Sequence, residues 1–213
     1  MKRIFMCIAA MAAFAGPAGA MPEAIVPESN TSSSPFMRVY GPAQPPYGFV
    51  RFCERNPDAC RARHIEDIRF QPTPERLSEL DEVNRWVNHA IAPATDMEIY
   101  GVSEFWTFPV DRGDCEDYAL LKQKILIQRG WPKSSLLLTV VRDEKGEGHA
   151  VLTARTSQGD FVLDNKIDDV RLWNASGYYF LMRQSYLDPR VWVSLDVNDR
   201  TAPDAIAGVQ DGR

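Results

Sequence analysis

Cys115 is the residue on which chemistry in this sequence would turn. It stands in Arg112-Gly113-Asp114-Cys115-Glu116-Asp117-Tyr118-Ala119, where Gly113 permits a tight approach and the thiol opens a predicted helix. The unpaired amides and partial positive charge of a helix start favour the thiolate, the form that attacks a carbonyl, and the same amides can hold the resulting oxyanion. Asp114, Glu116 and Asp117 act in the opposite direction, because anions beside a thiol raise its pKa. A histidinium partner would offset part of that effect, and a bound cation more. His149 opens a predicted strand and Asp164 closes the next. Antiparallel pairing would bring the two near each other, so that the carboxylate fixes the imidazole tautomer and the other ring nitrogen faces the thiol. Residue types alone equally allow a buried free cysteine beside an unrelated histidine and aspartate.

Other reactive side chains read as structural. His89 is expected to be a half-exposed helical histidine, and His64 likewise, since no acid or thiol motif surrounds either. Trp106, ahead of the nucleophile, and Tyr118, one turn past it, are expected to pack in the core. Cys53 and Cys60 flank the turn-like Glu54-Arg55-Asn56-Pro57-Asp58-Ala59 and are expected to pair as a disulfide. A two-ligand metal site is the weaker reading, because no His or third Cys completes it.

The elements that must position these residues follow from hydrophobic spacing. Thr73-Pro74 is a cap followed by proline, and Leu77, Leu80, Val83, Val87 and Ile91 recur at helical steps until Pro93. A second helix is expected from Cys115 to Arg129, stopped by Gly130 and Pro132, with Tyr118, Leu121, Ile125 and Leu126 as its buried stripe. The period then changes to two across 136–141, 149–153 and 161–163, with polar turns between, and 178–182 and 191–193 offer further strands. Helices followed by a meander indicate an α+β fold with N-terminal helices packed on an antiparallel sheet.

The whole chain bounds the setting. Residues 1–20 place Lys2 and Arg3 before an apolar stretch ending in Ala18-Gly19-Ala20, which is the grammar of a cleaved signal peptide; an uncleaved anchor is the minority reading. Residues 21–47, with PESNTSSSP and GPAQPPYG, read as a flexible leader that packs little, 48–198 as one domain, and 199–213 as a tail. Loss of Lys2 and Arg3 with the signal takes the formal charge from −5 to −7. An acidic chain without a basic cluster argues against nucleic acid as a partner. No later stretch is apolar enough for stable membrane insertion, and no long apolar stripe is left over, so a monomer is expected.

Gly113-Asp114-Cys115-Glu116-Asp117-Tyr118-Ala119, Gly148-His149-Ala150-Val151-Leu152, Val162-Leu163-Asp164-Asn165 and Phe52-Cys53…Pro57…Cys60 together resemble the bacterial transglutaminase-like cysteine peptidases. The matching segments run from about residue 49 to 195, most of the mature chain. The resemblance implies a papain-like or transglutaminase-like core with Cys115, His149 and Asp164 as catalytic triad. The best understood members are periplasmic, calcium-dependent proteases that cut a large surface adhesin and release biofilm cells. It therefore also implies calcium as cofactor, with Asp114, Glu116 and Asp117 as ligands, and a periplasmic or secreted location. The expected activity is that of a thiol endopeptidase acting on a protein or peptide substrate, an adhesin among the candidates. A transglutaminase-type acyl transferase and a non-catalytic binding module on the same fold stay open beside it.

Overall fold

The computed structural model describes residues 34–62 and 69–198. The signal expected over 1–20, His64 and the tail over 199–213 lie outside them.

Two helices and a meander form where hydrophobic spacing places them. Pro74–Ala90 (α2) starts at Thr73, whose side chain accepts from the Arg76 N–H, and buries Leu80, Val83 and Val87. Cys115–Gln128 (α4) ends before Gly130, whose φ of 87° only glycine adopts readily. The strands are Leu136–Arg142 (β4), Gly148–Thr156 (β5), Gly159–Leu163 (β6), Arg171–Leu172 (β7), Tyr179–Gln184 (β8) and Trp192–Ser194 (β9). With Gly41–Ala43 (β1) they make one antiparallel seven-stranded sheet in the order β1-β9-β8-β4-β5-β6-β7.

The sheet is apolar on both faces. Alternate residues send side chains to opposite sides, so the neighbours Val151 and Leu152, and likewise Val162 and Leu163, enter different core clusters. The larger cluster holds Leu138, Leu152 and Leu163 against α2 and α4, together with Tyr47–Arg55 (α1) through Phe49 and Phe52. The smaller one gathers Met37, Val141, Trp173, Tyr178 and Phe180. Trp106 is buried in the larger cluster, edge-on to Phe49, and Tyr118 is buried there too, its hydroxyl donating to the Ile91 carbonyl at 2.5 Å.

The leader expected over 21–47 needs correction in its described part. Residues 34–43 are pinned to the sheet: the Met37 N–H donates to Asp160 Oδ2 at 2.7 Å, the Pro35 carbonyl accepts from the Asp160 N–H at 2.8 Å, and β1 pairs with β9. A Pro- and Ser-rich composition says little about a segment whose backbone groups find partners supplied by distant residues.

Shorter elements had weaker signals. Asp96–Tyr100 (α3) carries a capping box between Thr95 and Glu98 and stops at Gly101, φ 70°, so its punctuation was present in the sequence. Ala92–Pro93 (β2) and Arg112–Gly113 (β3) form a two-residue parallel pair that ties the end of α2 to the start of α4.

Candidate active site

Cys115 is the first residue of α4, with Asp114 at the cap position. The sharp entry depends on Gly113, where an added Cβ would sit 2.7 Å from Asp117 Oδ2 and 2.8 Å from its Cβ. α4 packs against β5, whose last pair with β6 is Leu152 with Leu163. Residues 148–150 therefore run on past the end of that pairing.

The thiol is the lone free cysteine among the described residues and is partly exposed, though protein surrounds most of it. Burial pushes its pKa well above the ordinary value, the Glu116 charge adds to that, and the Ala150 N–H opposes both. Its sulfur lies 3.2 Å from Glu116 Oε2, placed to donate its proton there. The helix start alone does not make a thiolate here.

His149 and Asp164 meet beside it. His149 Nε2 is 2.8 Å from Asp164 Oδ1, both side chains being almost fully buried, which leaves Nδ1 for another partner. Extending the β5–β6 register by one step sets Asp164 across from Val151, so it reaches His149 diagonally on the same face. Asp164 has further support: the Lys166 N–H donates to Oδ1 at 3.0 Å, and the Tyr178 hydroxyl to Oδ2 at 2.5 Å. Burial alone would raise the Asp164 pKa, yet these bonds, that of His149 foremost, hold it below the usual range. Asn88 on α2 donates to the Asp164 carbonyl at 2.9 Å, and Lys166 Nζ bridges to Asp143 Oδ2 at 2.8 Å, tying the loop after β6 to the turn before His149.

A second constellation adjoins the thiol. Oxygens of Asp96, Asp114 and Glu116 lie within 4.8 Å of one another. Asp114 and Glu116 were candidates from sequence; Asp96, on α3, was missed, and Asp117 stands outside the trio. Asp117 Oδ1 instead accepts from the Thr107 N–H at 2.8 Å. The signal that could have found Asp96 was the capping box, which places α3 and brings its first residue against the α4 cap. The Asp96 N–H donates to Asp114 Oδ2, and Asp96 Oδ2 accepts from the Phe105 N–H.

Asp96, Glu116 and Asp117 are buried and Asp114 is half-buried. Among the described residues, Asp96 Oδ1, Asp114 Oδ1 and Asp117 Oδ2 are buried with no hydrogen-bond partner. Burial raises the pKa of Asp96, Asp114 and Glu116, each helped by a neighbouring carboxylate in the latter two, and takes Asp117 to about 8. Clustered hard oxygens with unused lone pairs, deep enough to suffer from their own charge, are a donor set that fits a calcium ion.

Residues 39–200 match the model of the family described as bacterial transglutaminase-like cysteine proteinase BTLCP. The chain belongs to that family. Its mixed helix and antiparallel-sheet fold is the one expected from the sequence. Among solved structures, Legionella pneumophila LapG aligns at 26% identity and a TM-score of 0.45, over 53% of this chain and 66% of that one. Its calcium-bound form aligns at 25% identity and 0.45, with the same shares, and its EGTA-treated form at 26% and 0.45, over 53% of this chain and 64% of that one. In each case the match spans less than two thirds of the LapG chain. A comparison with curated proteins found no match.

His89 is exposed, 3.3 Å from Asp168 Oδ2 at the end of α2. Cys53 and Cys60 form a disulfide, closing a loop with a sequence separation of 7 at the end of α1. Among the described residues no helix is long and apolar enough to cross a membrane.

Proposed function

We propose that this peptidase hydrolyses a protein substrate outside the cytoplasm through Cys115, His149 and Asp164. The observation that carries the reading is the buried His149 Nε2–Asp164 Oδ1 bond of 2.8 Å, on a strand packed against the helix that Cys115 opens. His149 Nδ1 takes the thiol proton as the sulfur adds to the scissile carbonyl. Amides at the start of α4 hold the oxyanion. Collapse expels the amine, protonated by His149, and leaves a thioester on Cys115; His149 then deprotonates water, which releases the acid and frees the thiol. Asp164 stays ionised and orients the ring throughout.

Calcium is the proposed cofactor, held by Asp96, Asp114 and Glu116 with Asp117 beside them. Bound there, the ion would supply positive charge that neutralises the carboxylates crowding the thiol. This chain's part is to present ionised oxygens and to release the thiol proton from Glu116 to His149. The signal-like residues 1–20 and the Cys53–Cys60 disulfide support a periplasmic or secreted setting. A cell-surface adhesin is the substrate class the family resemblance supports.

The test is Cys115→Ala and His149→Ala against a candidate adhesin fragment, with calcium and with chelator. Cleavage should fall by at least about a thousandfold in either variant. Undiminished cleavage by a folded Cys115→Ala protein would refute the proposal.

A further inference from the structure

Asp164 is only 4% exposed. A carboxylate so placed is costly unless each oxygen has a donor. Oδ1 is served by His149 and by the Lys166 N–H, whereas Oδ2 has one side-chain donor among the described residues, the Tyr178 hydroxyl at 2.5 Å. The same tyrosine ring meets the His149 ring edge-on, centroids 5.7 Å apart at 78°. It therefore touches the acid through its hydroxyl and the base through its ring.

Tyr178 is itself firmly seated. It is buried among Val141, Val151, Val162 and Phe180, and its N–H donates to Ser176 Oγ at 3.3 Å. Gly177 before it has φ 80°, which turns the chain so that the ring enters the sheet face carrying His149. Without the hydroxyl, Oδ2 would lose its donor and the carboxylate could turn about its terminal torsion, exchanging the oxygen offered to His149.

We propose that Tyr178 is a positioning residue of the active site, acting through Asp164 to fix the orientation of His149. The inference rests on Cys115, His149 and Asp164 acting as a triad. Burial, and then the hydrogen bond to Asp164, raise the phenol's pKa, so the hydroxyl keeps its proton throughout the working range.

The experiment uses the full mature chain with calcium present. Carbamidomethylation of Cys115 by iodoacetamide is timed, and the downfield proton of the His149–Asp164 hydrogen bond is followed by NMR, in wild type, Tyr178→Phe, His149→Ala, Asp164→Asn and the Tyr178→Phe/Asp164→Asn double variant. Tyr178→Phe should slow labelling roughly tenfold, the loss expected of one charge-assisted hydrogen bond, and should shift or abolish the downfield proton. In the Asp164→Asn background it should add less than about twofold, since it acts through that residue. An unchanged rate and proton in Tyr178→Phe, or an equal loss in both backgrounds, overturns the proposal while His149→Ala still slows labelling. Slow wild-type labelling indifferent to His149→Ala overturns the triad itself, and this inference with it. Should Tyr178→Phe fail to fold, the unaltered protein decides: the Tyr178 hydroxyl proton should exchange slowly and show a cross-peak to the His149 ring, and its absence overturns the proposal.

Discussion

Asp96 and Asp114 lie 18 residues apart in sequence and face each other across the start of α4: the Asp96 N–H donates to Asp114 Oδ2 at 3.3 Å, and each side chain keeps its Oδ1 buried and, among the described residues, unpartnered. Like charges brought this close need a cation or protons. Calcium should therefore raise the melting temperature of the wild type, and Asp96→Asn should remove most of that rise by deleting a charged ligand. Equal melting in calcium and in chelator would remove the cofactor from the proposal.

The same acids set a pH dependence. Burial raises the Asp117 carboxyl to about 8 and raises Glu116 as well, so both are more readily ionised in the unfolded chain. Such groups favour the folded state below their unfolded pKa, near 4, and that advantage is lost as pH rises toward the folded value. In chelator, stability should fall from about pH 5 to about pH 8; with calcium the stabilising increment should grow over the same window. Melting curves across pH, with and without the ion, check both slopes.

Lys122 works with the opposite sign. Its side chain is almost fully buried on α4, its Nζ 5.8 Å from the centre of the Tyr118 ring, and burial lowers its pKa to about 7, with Asp164 and Asp168 opposing. A base lowered in this way costs stability as pH falls from about 10 to about 7, with the full penalty below that. Lys122→Met should therefore stabilise the protein at about pH 6 and do little near pH 10, read by urea unfolding.

Removing the Cys53–Cys60 bridge should destabilise by about 2–3 kcal/mol, the loop-closure value for so short a loop. Thiol counting on the unreduced protein should find Cys115 alone reactive among these three. Leu126→Ala, at a fully buried position on α4, should cost about 2–5 kcal/mol in the same unfolding measurement.

What the sequence disclosed depended on whether the signal was local. α2 and α4 were legible because cap, apolar period and stop punctuation all sit within each segment, and β4 to β6 because their period of two is interrupted by polar turns. His149 and Asp164 could be paired in advance because hairpin register is local too. Asp96, Tyr178 and Asn88 were not legible as site residues. Each reaches the site from a separate element; the capping box places the helix that carries Asp96, but nothing near any of the three in sequence says which distant residue it meets. α1 was missed since Phe49, Phe52 and Cys53 make only a brief apolar stripe beside a proline-rich run. The burial of Glu116 and Asp117 was equally hidden: acids in a first helical turn ordinarily face water, whereas here α3 and the loop through 105–107 meet the start of α4, the Thr107 N–H bonding Asp117.

The pairing of β1 with β9 has a practical corollary for anyone producing this protein. Gly41, Pro42 and Ala43 cover Ser194, Val193 and Trp192 along one margin of the sheet. A recombinant domain begun at residue 48, where sequence composition alone would place the boundary, leaves that margin bare and ready to recruit a strand from another molecule. Self-association of such a fragment, absent when residues 34–47 are kept, would be an artefact of trimming and no property of the native protein.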